Sequence, residues 1–202
     1  MQSNWNENRI LLRGRLEGRP RWSHSNHGTR YYILPLGVCR LSGTEDHLNV
    51  VVSQTQLEAV CPRPGEQLTV RGEVRTFNNR SGVGRRLVVT VFARELSREE
   101  GTDENRLELS GTLCKPPCLR STPLGRTICD LILAVNRRYG RADYLPCIAW
   151  GSLAHRCGSL EVGDTVCLSG RLQSRIYTKQ VEEGVEERVA FEVSVMSMEE
   201  EE

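Results

Sequence analysis

Apolar and polar residues alternate along the first strand-like segment of the chain, ENRILLRGRL over residues 7–16. One face carries residues that are apolar or small: Ile10, Leu12, Gly14 and Leu16. The opposite face is rich in Arg. A period of two residues is typical of a strand with one buried face. The segment therefore predicts a β-strand that packs its apolar face into a core.

The same pattern occurs again ninety-seven positions later, where residues 104–113 read ENRLELSGTL. Further residues match at this offset: Gly28 with Gly125, Leu34 with Leu131, and Asp46 with Asp143. A repeat of about 100 residues is much longer than a solenoid unit and has the length of a small domain. We therefore interpret the chain as two copies of one domain.

Each copy predicts an all-β domain with one short helix. The first strand is followed by a turn-rich segment and then by two more strands. A short polar segment comes next, in which Thr55 and Glu58 have the spacing of a capping box. A hairpin supplies the fourth and fifth strands. Five strands with a helix between the third and fourth is the order of an OB-fold, a Greek-key barrel. Two tandem OB-folds fit the restart at Glu104 better than one ten-stranded sandwich does.

Composition places the domain boundaries and the compartment. We predict an N-terminal OB-fold over residues 5–96, a polar linker over 97–103, a C-terminal OB-fold over 104–197 and a short acidic tail over 198–202. No run approaches the roughly 20 apolar residues of a membrane span, and the start does not resemble a secretory signal. Several of the eight cysteines lie in or beside apolar runs, which favours reduced thiols. These features predict a cytoplasmic protein.

The net charge of +1 points to no particular partner, but the distribution of charge is uneven. Residues 1–100 hold 15 Arg against 10 acidic residues, and residues 101–202 hold 12 basic against 16 acidic residues. Of the 27 basic residues, 25 are Arg, whose planar fork suits phosphates and whose face stacks on rings. A genome rich in GC would also favour Arg, so this bias only permits nucleic-acid binding.

A candidate binding surface emerges on two strands of the second copy. Tyr144 and Trp150 are six residues apart, so they share a face of the third strand. On the fourth strand Arg171, Arg175 and Tyr177 share one parity. The aliphatic residues of the other parity are predicted to face the core: Val166, Leu168, Leu172 and Ile176. Rings mixed with Arg are what sequence-tolerant binding of single strands requires. Packing of aromatics across strands is the alternative interpretation.

The second copy resembles the bacterial single-stranded DNA-binding protein (SSB) family. The resemblance lies in the stretches NRLELSGTL, LILAVNRRYGRADYLPCIAWGSLA, VGDTVCLSGRLQSRIY and FEVSV. It implies stacking aromatics at Tyr139, Tyr144, Trp150 and Tyr177. Basic support is expected from Arg120, Arg137, Arg171 and Arg175. Two OB-folds in one chain resemble a branch of the family in which a homodimer supplies four OB domains, so a nucleoid-associated homodimer is implied.

The first copy differs from the second at the candidate surface. His47 occupies the position of Tyr144, Ser53 that of Trp150, and Ser42 that of Tyr139. Weaker DNA-binding candidates share an outward face of its fourth strand: Arg71, Arg75 and Phe77. Our hypothesis is that the second domain stacks bases, while the first contributes charge and architecture. The alternative is that its Arg residues are only a solvated surface.

No constellation of residues predicts catalysis, a cofactor or a metal. A zinc site from Cys114, Cys118, His24 and His27 would have to draw ligands from both domains. We expect a protein without enzymatic activity that binds single-stranded DNA in replication, recombination and repair, with replication and repair proteins as further partners and no membrane. Two alternatives are a primosomal or replication-restart adaptor acting through protein partners and an OB module repurposed for protein contact.

Overall fold

A computed structural model of the protein describes residues 7–78, 87–137, 140–181 and 184–200. The elements of the first half are β1 (Asn8–Leu16), β2 (Arg21–Asn26), β3 (Thr29–Cys39), β4 (Glu45–Ser53), α1 (Gln54–Val60), β5 (Gln67–Asn78) and β6 (Leu87–Ser97). Those of the second half are β7 (Glu104–Leu113), β8 (Cys118–Ser121), β9 (Thr127–Asn136), β10 (Ala142–Trp150), α2 (Ser152–Gly158), β11 (Thr165–Val181) and β12 (Gly184–Glu200).

Each half forms a barrel with the same strand order. In the first, β1 pairs with β5 on one side and with the end of β3 on the other, β5 pairs with β6, and β3 pairs with β4. A short parallel contact between β4 and β6 closes the barrel. The second half repeats these pairings with β7, β9, β10, β11 and β12. The prediction of an all-β chain with two OB-folds, each with one helix before its fourth long strand, is confirmed.

Leucine and valine side chains from every long strand fill the barrel cores. The close approach of β1 to β3 requires Gly14, because a Cβ there would lie 2.2 Å from the carbonyl oxygen of Gly37 on β3. Gly111 is the equivalent residue of β7, where a Cβ would lie 3.0 Å from the carbonyl oxygen of Ala134. These glycines let the first strand of each barrel pair with two other strands of its own barrel.

The structure differs from the sequence-based expectations at three places. The turn-rich segments contain the short strands β2 and β8, which pair with β3 and β9. Most of their side chains are exposed, so no apolar periodicity marks them. The capping box of α1 is formed by Ser53 and Gln56, and not by Thr55 and Glu58. Residues 198–200, expected in an acidic tail, belong to β12, where Met198 is buried opposite Leu168.

The two barrels share one continuous sheet of 12 strands. The link is an antiparallel pair between Asn8–Arg13 of β1 and Glu104–Leu109 of β7. Residues 98–103 connect β6 to β7 without a helix or strand. The predicted domain boundaries at 96 and 103 stay a prediction, whereas the predicted start of the acidic tail after residue 197 falls inside β12. None of the eight cysteines, all of which lie in the described ranges, forms a disulfide. In the same ranges no helix is long and apolar enough to cross a membrane.

Candidate nucleic-acid interface

Two aromatic rings point outward from β10. Tyr144 is 51% exposed and Trp150 is 40% exposed. The residues of opposite parity between them are buried: Leu145, Cys147 and Ala149. The alternation of the strand therefore sends the rings outward while the aliphatic face fills the core. Both rings are therefore accessible to a ligand on the same face of β10.

Arg137 directly follows β9 and is held in place by Asp143, the residue before Tyr144 on β10. Its Nε donates to Oδ2 of Asp143 at 2.5 Å, and a terminal nitrogen donates to the carbonyl oxygen of Thr76 at 2.8 Å. The Asp143 side chain is completely buried. A second guanidinium, that of Arg75 in the first barrel, lies 3.6 Å from Oδ2 of Asp143. The buried carboxylate thus anchors Arg residues from both barrels.

The β11 residues Arg171, Arg175 and Tyr177 have different surroundings. Nε of Arg175 donates to Glu192 Oε1 at 3.3 Å, and its guanidinium lies 5.7 Å from the centre of the Tyr177 ring. Arg171 is half-buried, and its Nε has no hydrogen-bond partner among the described residues. Desolvation by burial, and to a lesser extent the charge of Arg40, lower the pKa of Arg171. A half-buried cation beside a second Arg gains from a negatively charged ligand such as a phosphate.

The prediction that Ile176 faces the core is wrong, because this side chain is 64% exposed. Ile176 does have the parity of the buried Leu172. However, the hairpin of β11 and β12 continues past the barrel, where the second sheet layer no longer covers that face. Val189 lies opposite Ile176 on β12 and is exposed as well.

The remaining predicted residues of the second barrel are Arg120 and Tyr139. Arg120 lies on β8 and donates from Nε to Asp130 Oδ2 at 2.6 Å. This hydrogen bond raises the pKa of Arg120 and neutralises much of its charge. Tyr139 lies outside the described residues. The structure therefore brings Arg137 next to the Tyr144 backbone, whereas Arg120 is paired with a carboxylate of its own barrel.

The equivalent surface of the first barrel is polar. Nδ1 of His47 lies 2.6 Å from Oε1 of Glu17, and the Glu45 carboxylate lies in the same cluster. Ser53, the counterpart of Trp150, caps helix α1, and Ser42 lies in an exposed turn between β3 and β4. This face therefore offers carboxylates and hydroxyls where the second barrel offers rings.

The weaker candidates on β5 also have partners. Phe77 is exposed, Arg71 lies between the carboxylates of Glu95 and Glu99, and Arg75 is bonded to Glu73. The β-bulges show how the two barrels correspond on this strand, since the register shifts at Gly72 in β5 and at Gly170 in β11. Arg75 is then equivalent to Gln173, and Phe77 to Arg175. The similar spacing of Arg and aromatic residues in the two strands is therefore not a structural equivalence.

Sequence reasoning missed the contacts that join the barrels beside this surface. Oδ1 of Asp143 accepts hydrogen bonds from the backbone N–H and the hydroxyl of Thr76. In the mirrored position, Oδ1 of Asp46 accepts from the backbone N–H of Ser174 at 2.8 Å. The signal was present, because an acidic residue stands at the same place of both repeats, next to an apolar strand.

Comparison with known proteins agrees with the fold. The model of the family described as "Single-strand binding protein family" matches residues 104–200. Single-stranded DNA-binding protein B of Bacillus subtilis is 38% identical over 88 residues, which cover 40% of this chain and 76% of that protein. The chain belongs to the single-strand binding protein family.

Other relatives match over a smaller part of their length. Single-stranded DNA-binding protein A of Bacillus subtilis is 37% identical over 83 residues, which are 38% of this chain and 48% of that protein. The chain thus spans about half the length of such curated relatives. The crystal structure of the wild-type single-stranded DNA-binding protein from Thermus aquaticus matches with a TM-score of 0.79 and 25% identity, and covers 97% of this chain and 93% of that one. The tandem arrangement of two barrels therefore has a solved counterpart.

Proposed function

We propose that the protein binds single-stranded DNA with little sequence preference. The observation that carries this proposal is the exposure of Tyr144 and Trp150 on one face of β10, with Arg137 anchored by Asp143, the residue before Tyr144. Every base has a π-face, so rings can hold bases of any sequence, while guanidinium groups contact the phosphates. Tyr177 and Arg175 extend the surface onto β11, and Tyr139, Arg120 and Arg171 complete the proposed set in the second barrel.

The first barrel contributes more weakly in this proposal. Phe77 offers one exposed ring, whereas Arg71 and Arg75 already have carboxylate partners. Each of these ion pairs has to rearrange before the Arg can contact a phosphate, which offsets part of the gain. The main role of the first barrel is therefore architectural.

The biological role follows from such binding. We propose that the protein works in the cytoplasm, on the nucleoid, as a binding protein without enzymatic activity, and that it protects single strands during replication, recombination and repair. Proteins of these processes are its proposed further partners. Two chains would associate to present four barrels. The exposed apolar pair Ile176 and Val189 supports association, because a second copy would remove both side chains from water.

The experiment is fluorescence anisotropy of a labelled oligo(dT) of about 30 nucleotides, long enough for more than one barrel, against a duplex of the same length. Tight binding of the single strand, weak binding of the duplex and affinity that falls with salt are expected. The double variant Tyr144→Ala/Trp150→Ala should lose affinity at least tens-fold, because stacking contributes about 1–3 kcal/mol per base.

The matched control is Trp22→Ala, which removes an exposed ring from β2 of the first barrel. This variant should bind as the wild type does. Equal affinity of the wild type for single strand and duplex would contradict the proposal. It would favour instead an OB module that contacts a protein.

A further inference from the structure

Thr76 on β5 of the first barrel uses all its polar groups at the candidate interface of the second barrel. Its backbone N–H and its hydroxyl donate to Oδ1 of Asp143, the hydroxyl at 3.1 Å. The hydroxyl accepts from the backbone N–H of Tyr144 at 3.2 Å. The carbonyl oxygen accepts from Arg137 at 2.8 Å. One hydroxyl can donate once and accept in the same geometry, so these contacts are compatible.

These contacts are shielded from water. Thr76 is 8% exposed and Asp143 is completely buried. Hydrogen bonds to a buried carboxylate are stronger than those between neutral groups at the surface. The backbone at Tyr144 and the guanidinium of Arg137 are thereby fixed to a strand of the other barrel.

The mirrored contact in the other half shows what is specific to Thr76. Ser174 of β11 donates to Asp46 and accepts from the backbone N–H of His47 at 2.9 Å. The two sets of hydrogen bonds, Thr76 with Asp143 and Ser174 with Asp46, involve equivalent positions of the repeat. Both therefore hold the barrels together. Of the two contacts, the one at Thr76 fixes a residue with an exposed phenol ring, Tyr144, whereas the one at Ser174 fixes His47, whose imidazole bonds Glu17.

We propose that Thr76 is a positioning residue for single-stranded DNA binding. It holds Tyr144 and Arg137 in the arrangement that receives a base and a phosphate, so little conformational freedom is lost on binding. The first barrel then acts on affinity through a residue that need not touch DNA. This inference rests on the proposed function and assigns the first barrel a defined part in it.

The test compares Thr76→Val, which removes the hydroxyl and keeps the shape, with Thr76→Ser, which keeps the hydroxyl. Oligo(dT) affinity of the folded full chain should fall about three- to ten-fold for Thr76→Val, because the Tyr144 N–H loses its acceptor and Asp143 loses one donor. It should recover to within about two-fold of the wild type for Thr76→Ser. Thr76→Ala is a second variant without the hydroxyl, to be compared with Thr76→Ser in the same way if Thr76→Val does not fold.

Thr69→Val is the matched control. Thr69 lies on the same strand, is 1% exposed and bonds Nε of Arg13 at 3.1 Å within its own barrel. The Thr69→Val variant should have a lower free energy of unfolding in urea and unchanged affinity for DNA. A double-mutant cycle adds a readout that a merely structural role would not move: in the Tyr144→Ala background, Thr76→Val should weaken binding by a smaller factor than in the wild type.

The outcomes separate the two proposals. A wild type without preference for single strands would overturn the proposed function, and this inference with it. A wild type that prefers single strands, together with wild-type affinity of Thr76→Val, would overturn the inference alone. Equal losses for Thr76→Val and Thr69→Val, or full additivity with Tyr144→Ala, would also overturn it.

Discussion

Ile10 of β1 and Leu107 of β7 lie directly opposite each other in the antiparallel pair that joins the barrels. They are also equivalent residues of the repeat, ninety-seven positions apart. The neighbouring pairs are related by the same symmetry: Asn8 faces Leu109, and their counterparts in the other copy, Asn105 and Leu12, face each other as well. Equivalent residues that face each other in an antiparallel ladder lie on a local twofold axis. The chain is therefore built like a symmetric dimer whose two subunits have been joined and have diverged.

The second barrel alone, residues 104–202, should form a dimer. Removal of the first barrel leaves one edge of β7 unpaired, and an unpaired edge is a template for another strand. In the register seen here, Leu107 would face Leu107 of a second copy, and Arg106 would face Glu108 of that copy. Sedimentation at micromolar concentration measures the association, and circular dichroism checks that the fragment is folded.

The charge pair supplies the control for this prediction. In the fragment dimer, Glu108→Lys would place a Lys opposite Arg106 of the other copy, once in each half of the symmetric pair. This repulsion should weaken the dimer. A folded fragment that sediments as a monomer would contradict the prediction that β7 pairs with β7 of a second copy. An association unaffected by Glu108→Lys would show that another surface is used.

Asn105→Ala should destabilise the protein by about 2 kcal/mol, because two backbone groups lose their partners. The Asn105 amide donates to the carbonyl oxygen of Leu172 at 2.6 Å and accepts from its N–H at 3.0 Å. Asn8 makes the same pair of bonds to Val74 in the first barrel. Urea unfolding measures the loss, and Asn8→Ala should show a similar one.

Asn49→Ala is the matched control, since this half-buried side chain of β4 makes no hydrogen bond within the described ranges. Its effect should stay below about 0.5 kcal/mol. Equal effects of Asn49→Ala and Asn105→Ala would mean that the amide bridge to β11 contributes nothing measurable.

Local periodicity and the internal repeat were enough to predict the barrels. The alternation around Ile10 and its copy at Leu107 indicated which faces are buried, and those residues are in the core. Parity failed at Ile176, because alternation tells on which face a side chain lies but not whether anything covers that face. The strands β2 and β8 were missed because exposed strands have no apolar period.

The contacts between the barrels could not be predicted from sequence. Thr76 and Asp143 are 67 positions apart, and each lies in a strand whose local pattern is satisfied without the other. Their meeting depends on how the barrels sit around the local twofold axis, which no periodicity encodes. The sequence could propose Tyr144 and Arg137 as binding residues, but it could not show what holds them.

The cysteines should divide into a fast and a slow class in their reaction with a thiol reagent. Cys39, Cys61 and Cys118 are exposed, whereas Cys129, Cys147 and Cys157 are buried. Burial raises the pKa of Cys157 to about 11 and also raises that of Cys147. The thiolate is the reactive form, so a raised pKa leaves little of it at about pH 8.

Ellman's reagent should therefore titrate the exposed thiols quickly in the native protein and reach all eight only in denaturant. Cys157→Ser is the informative variant, because it should leave the fast phase unchanged and remove one equivalent from the denatured total. A loss from the fast phase would show that α2 opens under native conditions.

Arg171→Met tests whether the half-buried guanidinium contributes to the stability of the fold or to DNA binding. Nε of Arg171 is buried without a hydrogen-bond partner within the described part of the chain, and the charge of Arg40 opposes that of Arg171. Replacing such a group by an apolar side chain of similar length removes a desolvation cost, so the free energy of unfolding should fall by no more than about 0.5 kcal/mol. DNA affinity should fall nevertheless, and the slope of log affinity against log salt should decrease by about 1.

Arg120→Met is the comparison, because Asp130 already neutralises that guanidinium. Its effect on the salt slope should be smaller, since a new phosphate contact has to displace an existing carboxylate. A larger slope change for Arg120 than for Arg171 would mean that DNA follows β8 and avoids the region where the barrels meet. A loss of more than about 2 kcal/mol of stability in Arg171→Met would assign Arg171 to the fold, because removing a half-buried cation whose Nε has no hydrogen-bond partner is not expected to destabilise a protein so much.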